Sequence, residues 1–322
     1  MQIPSSASSE VPRAARKPDE NRHPHVAVVM STYNGATHVA EQLDSVLGQD
    51  VTAWADLSVY VRDDGSCDDT LGVLEPYERR GDIALIRGEN LGVVGSFLAL
   101  LAAVPESVDY VALCDQDDVW HADKLSRALS VLGKKDPTAP QLYCSEYTFC
   151  DAEMRPTGRS HLNRIGVSLP TMLYENMVSG NTTVINRALV RRVIEAGRAG
   201  VYCHDWWLAL VACTLGELTY DDFSSLEYRR TGSNASPTGS GGLALLRYRL
   251  RTFFEKGELA NITIQLEKLR SCFGDELEPD KRRLLDRMLD GGRLAKAFVP
   301  VRLRQKPLEE LALRVLFLLG KL

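Results

Sequence analysis

Several common signals are absent from this chain of 322 residues. The apolar run Phe97–Val104 is far shorter than the roughly 20 residues that a membrane-spanning helix needs. The N-terminal residues include no apolar core of the kind found in signal peptides. Neither the Gly-x-Gly-x-x-Gly motif nor the Gly-x-x-x-x-Gly-Lys-Ser/Thr motif occurs. A dinucleotide-binding Rossmann site and a P-loop nucleotidase are therefore both disfavoured.

The seven cysteines form no Cys-x-x-Cys pair and no regular spacing. This pattern disfavours a zinc site, which usually shows paired ligands at short intervals. The number is odd, and several of the cysteines fall in apolar segments that read as strands. We therefore expect reduced, buried thiols in a cytosolic protein.

Charge is distributed unevenly along the chain, whose net charge is −5. Residues 241–322 hold 17 Lys and Arg against 11 Asp and Glu, so this segment is basic and the remainder is acidic. Lipid headgroups are a better match for this basic segment than nucleic acid is, because nucleic-acid-binding motifs are absent. The end of the chain predicts an amphipathic basic helix. That helix could lie on an anionic membrane, or it could pack on the rest of the chain or on a second subunit.

The order of apolar and polar segments predicts three regions. Residues 1–24 have no periodicity and read as a disordered leader. Residues 25–240 alternate strands with helices, which predicts an α/β fold with a doubly wound, mainly parallel sheet. The Ser/Gly/Pro-rich segment Ser233–Gly242 marks a boundary. Residues 241–322 form a helical extension with clusters such as Leu243–Phe254 and Leu308–Leu319.

Within the second region we expect strands and helices in the following places. The strands are Val26–Met30, Leu57–Val61, Ile83–Ile86, Tyr110–Cys114, Leu142–Ser145, Asn176–Ile185, Glu217–Asp221 and Leu226–Arg230. The helices are Val39–Leu47, capped from Asn34 or Thr37, then 68–79, Val94–Ala103, Ala122–Leu132 and His204–Thr214. Asp151–Pro170 is polar and loop-like.

Four polar turns follow the first four strands, at Ser31–Gly35, Asp63–Ser66, Arg87–Gly92 and Asp115–Asp118. In open α/β sheets, ligands bind just beyond the carboxyl ends of the strands. Four polar turns on one edge form a contiguous rim. The sequence therefore predicts a ligand site there.

The turn Asp115–Asp118 is the most informative of the four. Its carboxylates repel one another unless a cation or a set of donors neutralises them. Mg²⁺ and Mn²⁺ typically take one or two carboxylates and share the other positions with phosphates. The structural alternative is an acidic turn that caps the helix beginning near Ala122.

In the second turn, an aspartate beside Gly65 can accept a hydrogen bond from a base N–H or a ribose hydroxyl.

Together these motifs resemble one enzyme family. STYNG at 31–35, DDGS at 63–66, NLG at 90–92 and DQDDVW at 115–120 are similar to inverting family 2 glycosyltransferases of the GT-A fold. The DQDDVW stretch is typical of the bacterial rhamnosyltransferase-type branch. The resemblance covers about residues 25–236. It implies a metal-dependent enzyme that transfers a sugar with inversion, the best guess being L-rhamnose from dTDP-rhamnose.

The motif His204–Trp207 matches the family segment that carries the catalytic base, and the resemblance assigns that role to Asp205. Inversion is a single displacement in which a base removes the proton of the attacking hydroxyl. The structural alternative is that Asp205 caps a helix whose tryptophans pack in the core. Trp206 would otherwise line the acceptor or sugar pocket.

The resemblance assigns the remaining roles by position. Contacts to the donor nucleotide fall to Ser31, Tyr33, Asp63, Asp64, Asn90 and Asp115. The metal is held by Asp117 together with Asp115, while Asp118 is left to cap the next helix. Asn181 contacts the donor sugar, or else is a turn side chain that bonds its own backbone. The diphosphate lies near Arg87, Arg229 and Arg230.

Two positions depart from the family pattern. Gly95 stands where a basic residue is common, and Thr231 stands where a late His is expected. If that His normally helps to hold the metal or the diphosphate, Arg229 or Arg230 must compensate through phosphate contacts.

The resemblance also implies partners and a cellular place. We expect a dTDP- or UDP-sugar donor, a glycan or lipid-linked glycan acceptor, and a role in bacterial surface polysaccharide biosynthesis. The protein would act in the cytoplasm, with peripheral contact to an anionic membrane surface and no nucleic-acid partner. A nucleotidyltransferase is disfavoured because Ser31–Gly35 contains no basic residue. A catalytically silent nucleotide-sugar-binding or scaffold module remains the alternative.

Overall fold

A computed structural model of the chain describes residues 23–230 and 258–321. The predicted leader, the predicted boundary Ser233–Gly242, Thr231 and the predicted cluster Leu243–Phe254 therefore lie wholly or largely outside the described residues.

The first half of the fold alternates strands and helices, as predicted. Its strands are β1 His25–Thr32, β2 Asp56–Asp63, β3 Ala84–Arg87 and β4 Tyr110–Cys114. The helices between and after them are α1 Val39–Leu47, α2 Thr70–Arg80 and α3 Gly92–Ala103. Helix α1 has the predicted bounds, but its N-cap is His38, and neither Asn34 nor Thr37 supplies a side-chain cap.

These strands form a parallel sheet in the order β3-β2-β1-β4. The register pairs Thr32 with Asp63, and Asp63 with Arg87, so the strands end together. Alternate residues of β1 enter two different hydrophobic clusters, because side chains along a strand point to opposite faces. Both faces of the sheet are thus covered, and the four polar turns share one edge, as predicted.

The second half completes a mixed sheet of nine strands. Its elements are β5 Val119–Trp120, α4 Lys124–Leu132, β6 Gln141–Cys150, β7 Pro156–Arg159, α5 Leu169–Met172, β8 Val184–Asn186, α6 Arg187–Ala196, α7 His204–Leu215 and β9 Glu217–Arg229. Beyond β4 the order is β8-β6-β9-β5, with β7 added on β6. Strand β8 is antiparallel to both of its neighbours. The predicted α/β, mainly parallel GT-A architecture is confirmed.

Three predictions about this half are wrong in detail. The strand predicted for Asn176–Ile185 is only β8, and Gly180–Thr182 instead forms one turn of 3₁₀ helix. The two short strands predicted after α7 are a single strand, β9, whose pairing with β6 shifts register near Glu146. The segment predicted as a loop contains β7.

The C-terminal part of the chain packs on the sheet domain. It comprises α8 Glu258–Phe273, α9 Pro279–Asp290, α10 Arg293–Ala297 and α11 Pro307–Leu318. The ring of Phe273 stacks on Trp207 of α7 at 6.2 Å, and Phe317 meets Tyr174 edge-on at 5.3 Å. Leu313 and Phe317 belong to the same hydrophobic cluster as α7. None of the helices in the described ranges is long and apolar enough to cross a bilayer.

We expect Phe317→Ala to loosen α11 from the domain. Phe317 is fully buried against Tyr174, and truncating a buried Phe typically costs about 3–5 kcal/mol. Leu318→Ala is the matched control, because Leu318 is 40% exposed on the neighbouring position. Urea unfolding should show a lower free energy of unfolding for Phe317→Ala but not for Leu318→Ala. Limited proteolysis should likewise show faster cleavage near α11 in Phe317→Ala alone. Equal stability of the two variants would contradict this packing.

Candidate active site

The first and fourth polar turns are joined by Gln116. Its Oε1 accepts hydrogen bonds from Thr32 Oγ1 at 2.7 Å and from the Tyr33 backbone N–H at 2.9 Å, and its Nε2 donates to the Tyr33 carbonyl at 3.2 Å. A Cβ at Gly35 would stand 2.3 Å from Gln116 Oε1, so this close approach requires glycine. The Tyr33 side chain remains 46% exposed at the rim. Sequence reasoning missed Gln116, although it lies inside the DQDD motif.

The second turn is built on a buried ion pair between Arg62 and Asp64. Asp64 Oδ1 also accepts the Leu91 backbone N–H at 2.9 Å, and Arg62 Nη2 donates to the Glu89 carbonyl at 2.8 Å. These bonds fasten the second turn to the third. Both carboxylates of the turn are 2% exposed, and Asp63 Oδ2 accepts the Ser66 backbone N–H at 3.1 Å.

Ser31 and Asn90 lie on the same rim. Ser31 Oγ donates to Ser96 Oγ at 2.7 Å, and Ser96 Oγ also accepts a hydrogen bond from Arg62 at 3.2 Å. Asn90 Oδ1 accepts the Gly92 backbone N–H at 3.0 Å, which turns the chain into α3. The five residues predicted to contact the nucleotide on the first three turns are therefore neighbours in space.

Arg87 does not face the ligand edge in the way predicted. Its guanidinium forms a two-point ion pair with Glu78 of α2, through Nη1 at 2.9 Å and Nη2 at 2.5 Å. This pair raises the pKa of Arg87 and lowers the pKa of Glu78. A carboxylate thus takes the place foreseen for the diphosphate, and Arg87 leaves the set of candidate phosphate ligands.

The missing basic residue at Gly95 has a counterpart elsewhere in the chain. The guanidinium of Arg198, which follows α6, lies against Gly95, with Nη1 2.9 Å from where a Cβ would stand. A larger side chain at this position of α3 would displace that arginine. The departure at Gly95 therefore leaves room for a positive charge supplied by a distant segment.

Two buried residues, Asn181 and Lys124, support the fourth turn on its inner side. Asn181 Nδ2 donates to Asp118 Oδ2 at 2.5 Å, and Lys124 Nζ donates to the Asn181 carbonyl at 2.7 Å. Lys124 Nζ also lies 4.3 Å from the centre of the Trp120 ring. Asn181 is fully buried, and its Oδ1 is taken by Ser179 Oγ, so it cannot contact the donor sugar as predicted.

The capping alternative for the acidic turn is also wrong. Helix α4 begins at Lys124, with Asp123 at its N-cap, and β5 separates it from the carboxylates. Asp118 is only 1% exposed and faces Asn181 rather than the helix. Its Oδ1 has no hydrogen-bond partner among the described residues.

Burial and mutual repulsion make this turn electrostatically strained. Burial, followed by the charges of Asp117 and Asp205, raises the pKa of Asp115 to about 7. Burial followed by the Asp115 charge raises the pKa of Asp118 well above its usual range, and burial raises the pKa of Asp117. Burial lowers the pKa of Lys124 to about 7. A cation at the open side would stabilise the ionised carboxylates.

A divalent metal fits these residues. The carboxylates of Asp115 and Asp117 could hold Mg²⁺ or Mn²⁺, both of which accept few protein ligands when phosphates complete the shell. Over residues 23–230 and 258–321, no group of three or more His, Cys, Asp or Glu side chains is arranged to hold a metal ion. The donor set therefore suits a metal shared with a bound diphosphate.

The two arginines at the end of β9 form contacts with other residues of the protein, so they are not placed to bind a phosphate. Arg229 is 4% exposed; it donates to the Asp117 carbonyl at 3.1 Å and pairs with Glu41. It therefore positions the metal-side turn. The Arg230 guanidinium lies 3.7 Å from the centre of the Phe149 ring. Neither arrangement supports the predicted compensation for Thr231.

Asp205 lies in the first turn of α7, where four donors surround its carboxylate. Oδ1 accepts hydrogen bonds from Asn176 Nδ2 at 3.0 Å, the Trp206 backbone N–H at 2.6 Å and Cys203 Sγ at 2.9 Å. Oδ2 accepts the Gly180 backbone N–H at 3.1 Å. The helix N-cap is Cys203, so Asp205 is not the capping residue, although its bond to Trp206 satisfies one terminal N–H. Sequence reasoning missed Asn176.

The residues beside Asp205 belong to the core. Trp206 is 5% exposed, and its indole N–H donates to the Met172 carbonyl at 2.6 Å, so it does not line a pocket as predicted. His204 stacks on Phe97 with ring centres 4.3 Å apart, and burial lowers its pKa. His204 is therefore a buried, stacked side chain next to Asp205.

Three features point to the protein's class: a GT-A sheet with four polar turns at one edge, paired carboxylates after β4 and a further carboxylate on α7. Residues 27–193, more than half of the chain, match the family described as Glycosyl transferase family 2. The chain belongs to this family and is a glycosyltransferase with a nucleotide-sugar-binding fold.

Curated relatives agree with this membership. The chain is 29% identical over 227 residues to the dTDP-rhamnosyl transferase RfbG of Shigella flexneri, covering 64% of this chain and 75% of that one. It is 27% identical over 191 residues to the uncharacterized glycosyltransferase RP339 of Rickettsia prowazekii, where the match spans 57% of each chain.

Solved structures agree on the fold. The crystal structure of Staphylococcus aureus TarS 1–349 has a TM-score of 0.56 at 16% identity, covering 92% of this chain and 79% of that one. The same TarS fragment in complex with UDP-GlcNAc has a TM-score of 0.55 at 16% identity, covering 92% and 88%. At such identities the likeness concerns the fold alone.

We expect the stability of the metal-free protein to fall as the pH rises from about 4 to about 7. Folded Asp115 has a pKa of about 7 against an ordinary value of 3.8, so in this window the folded state binds more protons than the unfolded state. The stabilisation is full below 3.8 and is lost as the pH passes 7. Thermal unfolding in EDTA across this range measures the slope.

Asp115→Asn should flatten that slope, and the exposed Asp222→Asn should leave it unchanged. Lys124 has the opposite effect on stability, which it raises as the pH rises from about 7 to 10.5, because burial lowers its pKa from 10.5 to about 7. An Asp115→Asn protein that loses stability as steeply as the wild type would contradict the assignment.

Proposed function

We propose that this protein is a metal-dependent, inverting glycosyltransferase that moves a sugar from a nucleoside diphosphate to an acceptor hydroxyl. The observation that carries the proposal is the juxtaposition of Asp205 with the carboxylates after β4. Asp205 reaches the site from α7, and two consecutive residues link the groups: the Gly180 backbone N–H donates to Asp205 at 3.1 Å and Asn181 donates to Asp118 at 2.5 Å. The charge of Asp205 also contributes to the raised pKa of Asp115. A base and a metal–diphosphate pair on separate elements would act on the sugar from two sides.

The reaction is a single displacement. The acceptor oxygen forms a bond to the anomeric carbon while the bond from that carbon to the diphosphate oxygen breaks. Asp205 takes the proton of the attacking hydroxyl, and general-base catalysis typically contributes about 10²–10⁴-fold in rate. Asp115 and Asp117 would hold the metal, which when bound neutralises charge on the leaving diphosphate.

The donor nucleotide would lie across the first three turns. We place the base and ribose against Ser31, Tyr33, Asp63, Asp64 and Asn90. The exposed ring of Tyr33 offers a stacking surface, and the backbone geometry around Asp64 fixes its carboxylate. Arg198, held against Gly95 at the start of α3, is our candidate for a cationic contact to the donor.

We propose L-rhamnose from dTDP-rhamnose as the first donor to test, with a UDP-sugar as the alternative. The support is the relative named dTDP-rhamnosyl transferase, together with the DQDDVW stretch. The acceptor we favour is a lipid-linked glycan in bacterial surface polysaccharide biosynthesis. The enzyme would then work in the cytoplasm, at the inner face of the cell membrane.

A thermal-shift screen of nucleotides with and without Mn²⁺ tests donor recognition. We expect dTDP-rhamnose or its nucleotide to raise the melting temperature only when the metal is present, because binding the folded state stabilises it. UDP, GDP and their sugars are the controls. Binding followed by no product with any membrane extract as acceptor would favour a silent nucleotide-sugar-binding module.

Asp205→Asn should abolish sugar transfer while donor binding with Mn²⁺ stays close to the wild-type value. Asn keeps the shape of the side chain but cannot accept the proton. Asp117→Asn, in contrast, should lose the metal-dependent donor binding that Asp205→Asn keeps. Single-turnover product formation and calorimetric titration separate the two effects. If Asp205→Asn loses donor binding as well, Asp205 is not the base.

A further inference from the structure

The outer face of the last helix is apolar and exposed. In α11, Leu308, Leu311 and Val315 are 75%, 61% and 44% exposed, and Leu318 and Leu319 are 40% and 60% exposed. The spacing of three and four residues puts them on one side of the helix. The opposite side, with Leu313 and Phe317, is buried in the domain.

Helix α10, which packs against α11, also exposes apolar side chains. Leu294 and Phe298 are 68% and 69% exposed, so the same region presents two further large apolar side chains. Contiguous exposed apolar side chains mark interaction sites in most proteins that carry them. Among the described residues, nothing covers this outer face.

In residues 291–321, positive charges outnumber negative ones. The segment from 291 to 321 contains seven Lys and Arg and only two acids, Glu309 and Glu310. Glu310 accepts the backbone N–H groups of Leu303 and Arg304 at 2.9 and 2.8 Å and pairs with Arg314.

The other acid is also held within the segment. Glu309 binds Arg304 at 2.9 Å and Lys306 at 3.3 Å. Arg293, Arg302 and Lys321 remain exposed.

The segment between α10 and α11 contacts the part of the chain that holds Asp205. The Arg304 guanidinium donates to the Tyr174 carbonyl at 2.9 Å, and the Gln305 backbone N–H donates to Glu175 at 2.7 Å. The next residue, Asn176, holds Asp205 at 3.0 Å. A short run of residues thus joins the surface to the group proposed to activate the acceptor.

We propose that the outer face of α10 and α11 docks the enzyme on an anionic lipid bilayer. Leucine and phenylalanine side chains would enter the interface, and the exposed arginines and lysine would contact the headgroups. Resting on the proposed function, the docked orientation brings the Asp205 side of the site to an acceptor hydroxyl carried on a membrane lipid.

Flotation of the full-length protein with vesicles tests the proposal without any nucleotide. We expect binding to phosphatidylglycerol-containing vesicles and not to phosphatidylcholine vesicles. The double variant Leu308→Ser/Leu311→Ser should bind at least about tenfold more weakly, because two exposed side chains lose apolar contact. The matched control is Ile194→Ser/Ile264→Ser, which removes side chains 40% and 48% exposed on α6 and α8 and should bind normally.

Three outcomes would overturn the inference. The wild type fails to bind anionic vesicles, or both double variants bind equally well. In the third, light scattering shows a dimer that Leu308→Ser/Leu311→Ser dissociates, with no vesicle binding, which would make the face a contact between two copies. Donor recognition is measured without lipid, so either proposal can fail while the other stands.

Discussion

The site depends on one buried interaction, the hydrogen bond from Asn181 to Asp118 with Lys124 behind it. Carboxylates grouped at the end of a buried strand repel one another and are poorly hydrated, so the turn needs donors on its inner side. Lys124 cannot supply this alone, because burial brings its pKa down to about 7. The amide of Asn181 donates without charge, and the outer side of the turn stays open for a cation.

The loop that carries Asn181 also positions the base. Within a few residues, Asn176 and the Gly180 backbone N–H bind the two oxygens of Asp205, while Asn181 binds Asp118. A Cβ at Gly180 would lie 2.9 Å from His204 Nε2, so glycine lets this loop approach α7 closely. A single loop therefore contacts both Asp205 and Asp118.

The strand-helix pattern and the rim of polar turns could be read from the sequence, because apolar strands and the turns after them are local patterns. The contacts that support the site could not be predicted from the sequence. Asn181 and Trp206 carry the residue types of a binding site, yet both are buried, and only packing decides that. Arg87 was separated from its partner Glu78 by nine residues, and helix-strand packing alone brings them together.

The two departures from the family pattern have different consequences. At Gly95 the charge is replaced in space, since Arg198 arrives from the loop after α6 and lies where a side chain would otherwise stand. At Thr231 no such replacement is possible from Arg229, because its guanidinium is already bound to Glu41 and to the Asp117 and Ala152 carbonyls. Removing Arg229 would free the turn that holds Asp117. Arg229 therefore acts on the Asp117 turn through the backbone, and we propose that the metal and Arg198 meet the phosphate charge instead.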